Sequence, residues 1–208
     1  MIYEVRTYTL KPRSLPEVLK RFGEAYEKRK ALSQLFAFWY SEIGPLNQIV
    51  HVWPYKDLEE RGRIRAEAIK AGIWPPKTAE FMVTMRSEIM IPWGDVPPVA
   101  GKVGPYFEMR TYTYNAGDLP KIQANWTKAL PNRLKLSPLV QLWYSELGGL
   151  NTFVHIWAYA SLDQRMAIRK QAVDSGQWPP PQGEGDSKYG LVAQENKILL
   201  AAPFSPLQ

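Results

Sequence analysis

Residues 2–10 alternate between apolar and polar side chains and are rich in Tyr, Val and Thr, the pattern of a β-strand. Ser14 and Glu17 then stand at capping-box spacing, with Pro16 in the first turn of the helix they predict. Leu15, Val18, Leu19, Phe22 and Tyr26 follow at helical spacing. Residues 35–42 and 48–55 read as two strands of a hairpin turning at Gly44-Pro45. Asp57 and Glu60 mark the start of a second helix, and Gly72 sits where a C′ residue would end it. A last strand covers about 81–91. The order β-α-β-β-α-β is that of a ferredoxin-like split βαβ unit.

The whole string is then written again. Glu4-Val5-Arg6-Thr7-Tyr8-Thr9 returns as Glu108-Met109-Arg110-Thr111-Tyr112-Thr113, and Trp39-Tyr40-Ser41-Glu42 as Trp143-Tyr144-Ser145-Glu146. Val50-His51-Val52-Trp53 returns as Val154-His155-Ile156-Trp157, and Trp74-Pro75-Pro76 as Trp178-Pro179-Pro180. The spacing is 104 throughout, and 32 of the 74 positions from residue 3 to 76 are identical, so the chain is a duplication. In the second copy Asp118 caps a helix carrying Leu119, Ile122, Trp126 and Leu130, and Ser161 with Gln164 caps the next, which Gly176 ends. Pro181-Gln182-Gly183-Glu184-Gly185-Asp186 reads as a longer polar loop, after which aligning Glu88 with Glu195 gives a spacing of 107 and a last strand at about 189–200.

A four-stranded sheet covered by helices on one face leaves the other bare. Two copies bury their bare faces against each other. The expected α+β architecture is two tandem ferredoxin-like βαββαβ modules packed sheet-to-sheet as one eight-stranded α/β barrel, helices outside. The expected boundaries are 1–92 for the first module, 93–105 for a Pro- and Gly-rich linker, 106–202 for the second module and 203–208 for a tail.

Period-2 alternation divides each strand into two faces. Val5, Val50 and Val52 share one face and become Met109, Val154 and Ile156, as a helix-packing face would. The other face carries Glu4, Arg6, Tyr8, His51, Trp53 and Tyr55, repeated as Glu108, Arg110, Tyr112, His155, Trp157 and Tyr159. That face is expected to point into the barrel. There His51 and His155, with Tyr8 and Tyr112, are candidate acid–base groups. Glu4, Arg6, Trp39 and Trp53, with Glu108, Arg110, Trp143 and Trp157, are candidate ligand contacts, the arginines suited to a carboxylate or enolate. The competing reading is a polar network that fixes the register of the barrel. Trp74-Pro75-Pro76 is expected to plug the barrel mouth. Arg61, Arg65, Arg165 and Arg169 are expected to form solvated helix faces, and Lys28-Arg29-Lys30 a solvated helix end.

Composition narrows the function. Cysteine is absent, which excludes disulfides and thiolate chemistry, and two histidines at no metal-ligand spacing give no reason to expect a metal. No cofactor is implied, for there is no phosphate-cradling glycine loop, dinucleotide fingerprint or nucleophile elbow. The net charge of +6 is spread along the chain, so no nucleic-acid partner is expected. No apolar run approaches the ~20 residues of a membrane span, and the opening Met-Ile-Tyr-Glu-Val-Arg has no apolar signal region, so a cytoplasmic location is expected.

The opening Tyr3-Glu4-Val5-Arg6-Thr7-Tyr8 and the pattern Gly44, Asn47, His51, Trp53, Tyr55, matched by Gly148, Asn151, His155, Trp157 and Tyr159, resemble the NIPSNAP family over nearly the whole chain. The resemblance implies the dimeric α/β-barrel, ferredoxin-like fold. It brings no settled enzyme activity. The wider barrel superfamily holds cofactor-free monooxygenases, lactone isomerases, haem enzymes and plain ligand binders, an analogy of fold. The expectation is a homo-oligomer binding a small aromatic or carboxylate-bearing molecule inside the barrel, with a cofactor-independent monooxygenase or isomerase as its enzymatic form. The alternative is a non-catalytic scaffold or interaction module with a structural polar core.

Overall fold

The computed structural model describes residues 1–94, 96, 99–180 and 190–208. The loop Pro181–Asp186 lies outside the described residues. Strand β1 is Ile2–Leu10, helix α1 Leu15–Arg29, β2 Ala37–Ile43, β3 Gln48–Tyr55, α2 Leu58–Lys70 and β4 Met82–Pro92. The second copy supplies β5 Tyr106–Tyr114, α3 Leu119–Leu134, β6 Leu139–Leu147, β7 Thr152–Tyr159, α4 Leu162–Asp174 and β8 Leu191–Ala201. Asp57 and Ser161 cap α2 and α4 by accepting from the amides of Glu60 and Gln164. Ser14 and Asp118 do not cap α1 and α3 with their side chains; Ser14 instead donates to the carbonyl of Lys11, and Glu17 pairs with Arg21.

The strands close into one antiparallel ring in the order β1-β3-β2-β8-β5-β7-β6-β4. The modules join because each gives its last strand to the other: β8 pairs with β2, and β4 with β6. Val5 pairs with Glu88 and Met109 with Lys197, so the last strands are related by a spacing of 109. Glu88 is therefore the counterpart of Lys197. The alignment of Glu88 with Glu195 was off by two residues, one full period of a strand, which preserves the inward–outward pattern and so hides the slip.

The assignment of faces is the reverse of the expectation. Val5, Val50, Val52, Met109, Val154 and Ile156 point into the barrel, where they pack with Tyr3, Met90, Phe107 and Leu199. Tyr8, Trp53 and Tyr55 pack under α1 and α2 with Val18, Phe22, Tyr26, Ile64 and Ala68, and Trp74 joins them there rather than at the barrel mouth. Tyr112, Trp157 and Tyr159 lie likewise under α3 and α4, against Ile122, Trp126 and Ile168. Rings occur on both sides of the sheet: Tyr3, Trp39, Phe107 and Trp143 pack inside the barrel with the aliphatic chains, and Trp53, Trp74, Trp126 and Trp157 pack beneath the helices. One barrel end is stopped by a bridge between Gly101 and Leu207, which buries Leu207 against the inner core.

Candidate functional site

Cross-strand register assembles the same polar row twice. Arg6 stands opposite His51 and Ser87, and Glu4 opposite Trp53; Arg110 stands opposite His155 and Asn196, and Glu108 opposite Trp157. Glu4 is fully buried. Its carboxylate accepts from Arg6 Nη1 at 2.6 Å, Arg61 Nη2 at 2.6 Å and Ser87 Oγ at 2.8 Å, with Arg65 Nη1 at 3.7 Å. Glu108 repeats this with Arg110 at 2.8 Å, Arg165 at 2.5 Å, Asn196 at 3.1 Å and Arg169 at 3.7 Å. Burial alone would raise the pKa of Glu4, but Arg61, Arg6, Ser87 and Arg65 overcome it and hold the carboxyl at about 2. Glu108 is lowered in the same way. Arg61, Arg65, Arg165 and Arg169 are thus structural partners of buried carboxylates, not a solvated face.

Arg29 and Arg133 are buried as well, at 1% and 3% exposure, so the basic cluster at the end of α1 is not wholly solvated. Arg29 lies 4.4 Å from the Trp53 ring centre and donates to Tyr55 Oη at 3.0 Å. Arg133 lies 4.0 Å from the Trp157 ring and donates to Tyr159 Oη at 3.0 Å and Ser137 Oγ at 2.7 Å. The sequence reading placed Arg29 in a solvated helix end. The available signal was that Arg29 alone of its basic cluster recurs in the second copy.

Each histidine is set by a tryptophan two residues on. Trp53 Nε1 donates to His51 Nδ1 at 2.8 Å, and Trp157 Nε1 to His155 Nδ1 at 2.7 Å. An indole N–H can only donate, so Nδ1 carries a lone pair and the ring proton resides on Nε2. Burial first, and then nearby arginines, hold both imidazoles well below the usual pKa of 6.5. A resting acid–base role at Nδ1 is thereby closed. What each ring offers is a neutral Nε2–H, and neither Nε2 has a hydrogen-bond partner among the described residues.

In the second module His155 is one of the residues around a cavity of about 250 Å³ between sheet and helices. Arg110, Arg133 and Arg169 bring positive charge to it, His155 and Tyr112 bring polar atoms, and Trp126, Trp157 and Trp178 form flat walls. At equivalent places the first module has Phe22 for Trp126 and Met85 for Gln194. The structure therefore brings Arg110, Tyr112, His155 and Trp157 together, and outside the barrel. Arg6, Tyr8, His51 and Trp53 form the matching row under α1 and α2. Trp39 and Trp143 are separated from both rows, fully buried in the barrel interior. The interior has its own cavity of about 660 Å³, lined by other residues, among them Thr7, Thr111, Glu88 and Lys197. No group of three or more metal-ligating side chains is found among the described residues.

Ring order, strand exchange and the doubled row beneath the helices define an α+β barrel of two fused ferredoxin-like modules. The NIPSNAP family model matches residues 3–97 and 107–206, and the chain belongs to the NIPSNAP family. It is 29% identical to mouse protein NipSnap homolog 3B, across 99% of this chain and 85% of that protein. It is 28% identical to protein NipSnap homolog of Dictyostelium discoideum, across 85% of this chain and 78% of that one. Its fold is similar to that of an anthrone oxidase-like protein, with a TM-score of 0.60, 9% identity, and coverage of 96% of this chain and 90% of the other. That likeness is one of fold. No helix among the described residues is long and apolar enough to cross a membrane.

Proposed function

We propose that the protein binds a small, flat, anionic molecule in the cleft beneath α3 and α4. The observation that carries this is buried His155, whose Nε2–H has no partner among the described residues, standing in the wall of a cavity shared by three guanidiniums. A buried donor without an acceptor costs about 1–3 kcal/mol, which a carboxylate or enolate oxygen would recover. The tryptophan walls suit an aromatic or conjugated body. At about 250 Å³ the cavity lies just under the ~300–1,000 Å³ of drug-sized sites, so the ligand is small. In the enzymatic form of this reading, Arg110 and the imidazole N–H hold the negative charge of a bound enolate oxygen. The test is calorimetric titration with benzoate and salicylate, with benzylamine as the cationic control. Binding of the two anions alone, weakened about tenfold or more by Arg169→Ala, supports the reading. Equal binding by the Arg169→Ala protein, or no binding of either anion, overturns it.

A second reading, association through strand edges, also has an observation behind it. Pairing of β4 with β6 begins only at Ile89, and pairing of β8 with β2 covers Ile198–Ala201, so among the described residues the earlier halves of β4 and β8 each have one open edge. Val83, Met85 and Val192 are exposed along them. Sedimentation of the protein against a Val83→Lys/Val192→Lys variant tests it: a dimer that dissociates in the variant supports this reading, and a wild-type monomer at high concentration removes it.

A further inference from the structure

The barrel cavity is built from strands that duplication made equivalent, yet its charges are not. Glu88 pairs across β1 with Val5, and Lys197 across β5 with Met109, so both point inward at the same level. Strands β4 and β8 are four places apart in the ring of eight, so the two side chains enter from opposite walls. The hairpins confirm the equivalence. Gly44 and Gly148 both have positive φ, and a Cβ on them would lie 3.1 Å from Lys197 Cβ and 2.8 Å from Glu88 Cγ respectively. One level outward, Arg86 on one wall answers Glu195 on the other.

Neither charge is used up. Lys197 donates to Gln48 Oε1 at 3.0 Å, and among the described residues no carboxylate stands within ion-pair distance of it. Two of its three ammonium protons therefore remain. Glu88 faces Arg86 at 3.5 Å, an arginine whose side chain is 69% exposed, so the pairing is weak. Between the two walls lie about 660 Å³, well inside the range of ligand sites. The space is graded along its axis: Met90 and Leu199, opposite Tyr3 and Phe107, lie one level deeper, the Glu88–Lys197 pair forms a collar with Val5 and Met109, and Thr9, Thr84 and Thr113 line the outer part.

We infer that the barrel interior is a binding site for a zwitterionic amino acid with an apolar side chain. The carboxylate meets Lys197, the ammonium meets Glu88, and the side chain enters the apolar floor. Charges fixed on opposite walls accept a dipolar ligand and disfavour one bearing either charge alone. Burial acts to lower the pKa of Lys197, with Glu195 pulling the other way. An arriving carboxylate adds to that second pull. Two separate chains of one sequence would place like charges on both walls; fusing the copies allows unlike ones. This site is independent of the cleft beneath α3 and α4.

The test is calorimetric titration of the full chain with L-leucine, with 4-methylpentanoate and isoamylamine as probes bearing one charge each. The expected result is binding of leucine, with either control weaker by about tenfold or more, since each lost contact is a charged hydrogen bond. Glu88→Lys and Lys197→Glu alone should each weaken leucine by a similar factor. The double variant exchanges the charges across the pseudo-twofold axis and should restore binding to within a few-fold, which separates recognition from damage to the fold. Absence of leucine binding, equal binding of the single-charge probes, or a folded double variant that stays as weak as the single ones would each overturn the inference.

Discussion

Trp157 Nε1 donates to Nδ1 of His155 at 2.7 Å, and that one bond decides what the imidazole can do. It fixes the proton on Nε2 and makes the ring a donor at the cleft. Removing it should free Nδ1 to accept a proton. In the Trp157→Phe protein, His155 should titrate at a higher pH than in the wild type, while His51, still held by Trp53, should not change. Nitrogen-15 NMR of the imidazoles across pH 4–8 is the check. Unchanged titration of His155 would mean that burial and arginine repulsion alone set its state.

The same histidines set the acid sensitivity of the fold. A base whose pKa is lowered on folding is neutral in the native chain and protonated in the unfolded one, so the unfolded state binds more protons as pH falls. Stability should therefore decline from about pH 6.5 downward. The buried glutamates add a second decline. With Glu4 at about 2 instead of 4.5, its contribution of ~3 kcal/mol is complete above the usual carboxylate range and lost as pH falls toward 2. Melting temperature against pH should show both phases. His51→Gln/His155→Gln should remove the upper one and leave the lower.

Glu4 gathers Arg6, Arg61 and Arg65 from one strand and one helix. Its removal leaves those guanidiniums facing one another. Glu4→Ala and Glu108→Ala should each cost about 3–5 kcal/mol in denaturant unfolding, the range for breaking a buried charge pair by one partner. A loss under 1 kcal/mol would show that solvent reaches these arginines freely.

Trp39 and Trp143 lie in the barrel core and touch neither row beneath the helices. Trp143→Ala should cost about 3–5 kcal/mol of stability, as large-to-small core changes do. It should leave the affinity of the cleft for benzoate unchanged. A variant that stays stable yet loses benzoate would place the anion inside the barrel after all.

The duplication, the order of elements and the sorting of residues into two faces were all legible in the sequence, because period and repetition survive without knowledge of packing. The choice of which face meets the helices was not. Glu4, Arg6 and His51 looked like the lining of a barrel because a helix-packing face is usually aliphatic. Here α2 brings Arg61 and Arg65 down to meet the acid and α1 sets Arg29 on Trp53 and Tyr55, so the polar row is satisfied from outside the sheet. The recurrence of those three arginines as Arg133, Arg165 and Arg169 was the readable clue. The opposition of Glu88 and Lys197 was hidden by the two-residue slip in the last strand.

An anion seated on His155 in the cleft beneath α3 and α4 must perturb that imidazole. In a salicylate titration followed on the two imidazole Nε2–H resonances, the His155 signal should shift and saturate while the His51 signal stays in place. A shift at His51 with none at His155, or no movement of either at millimolar salicylate, would contradict it.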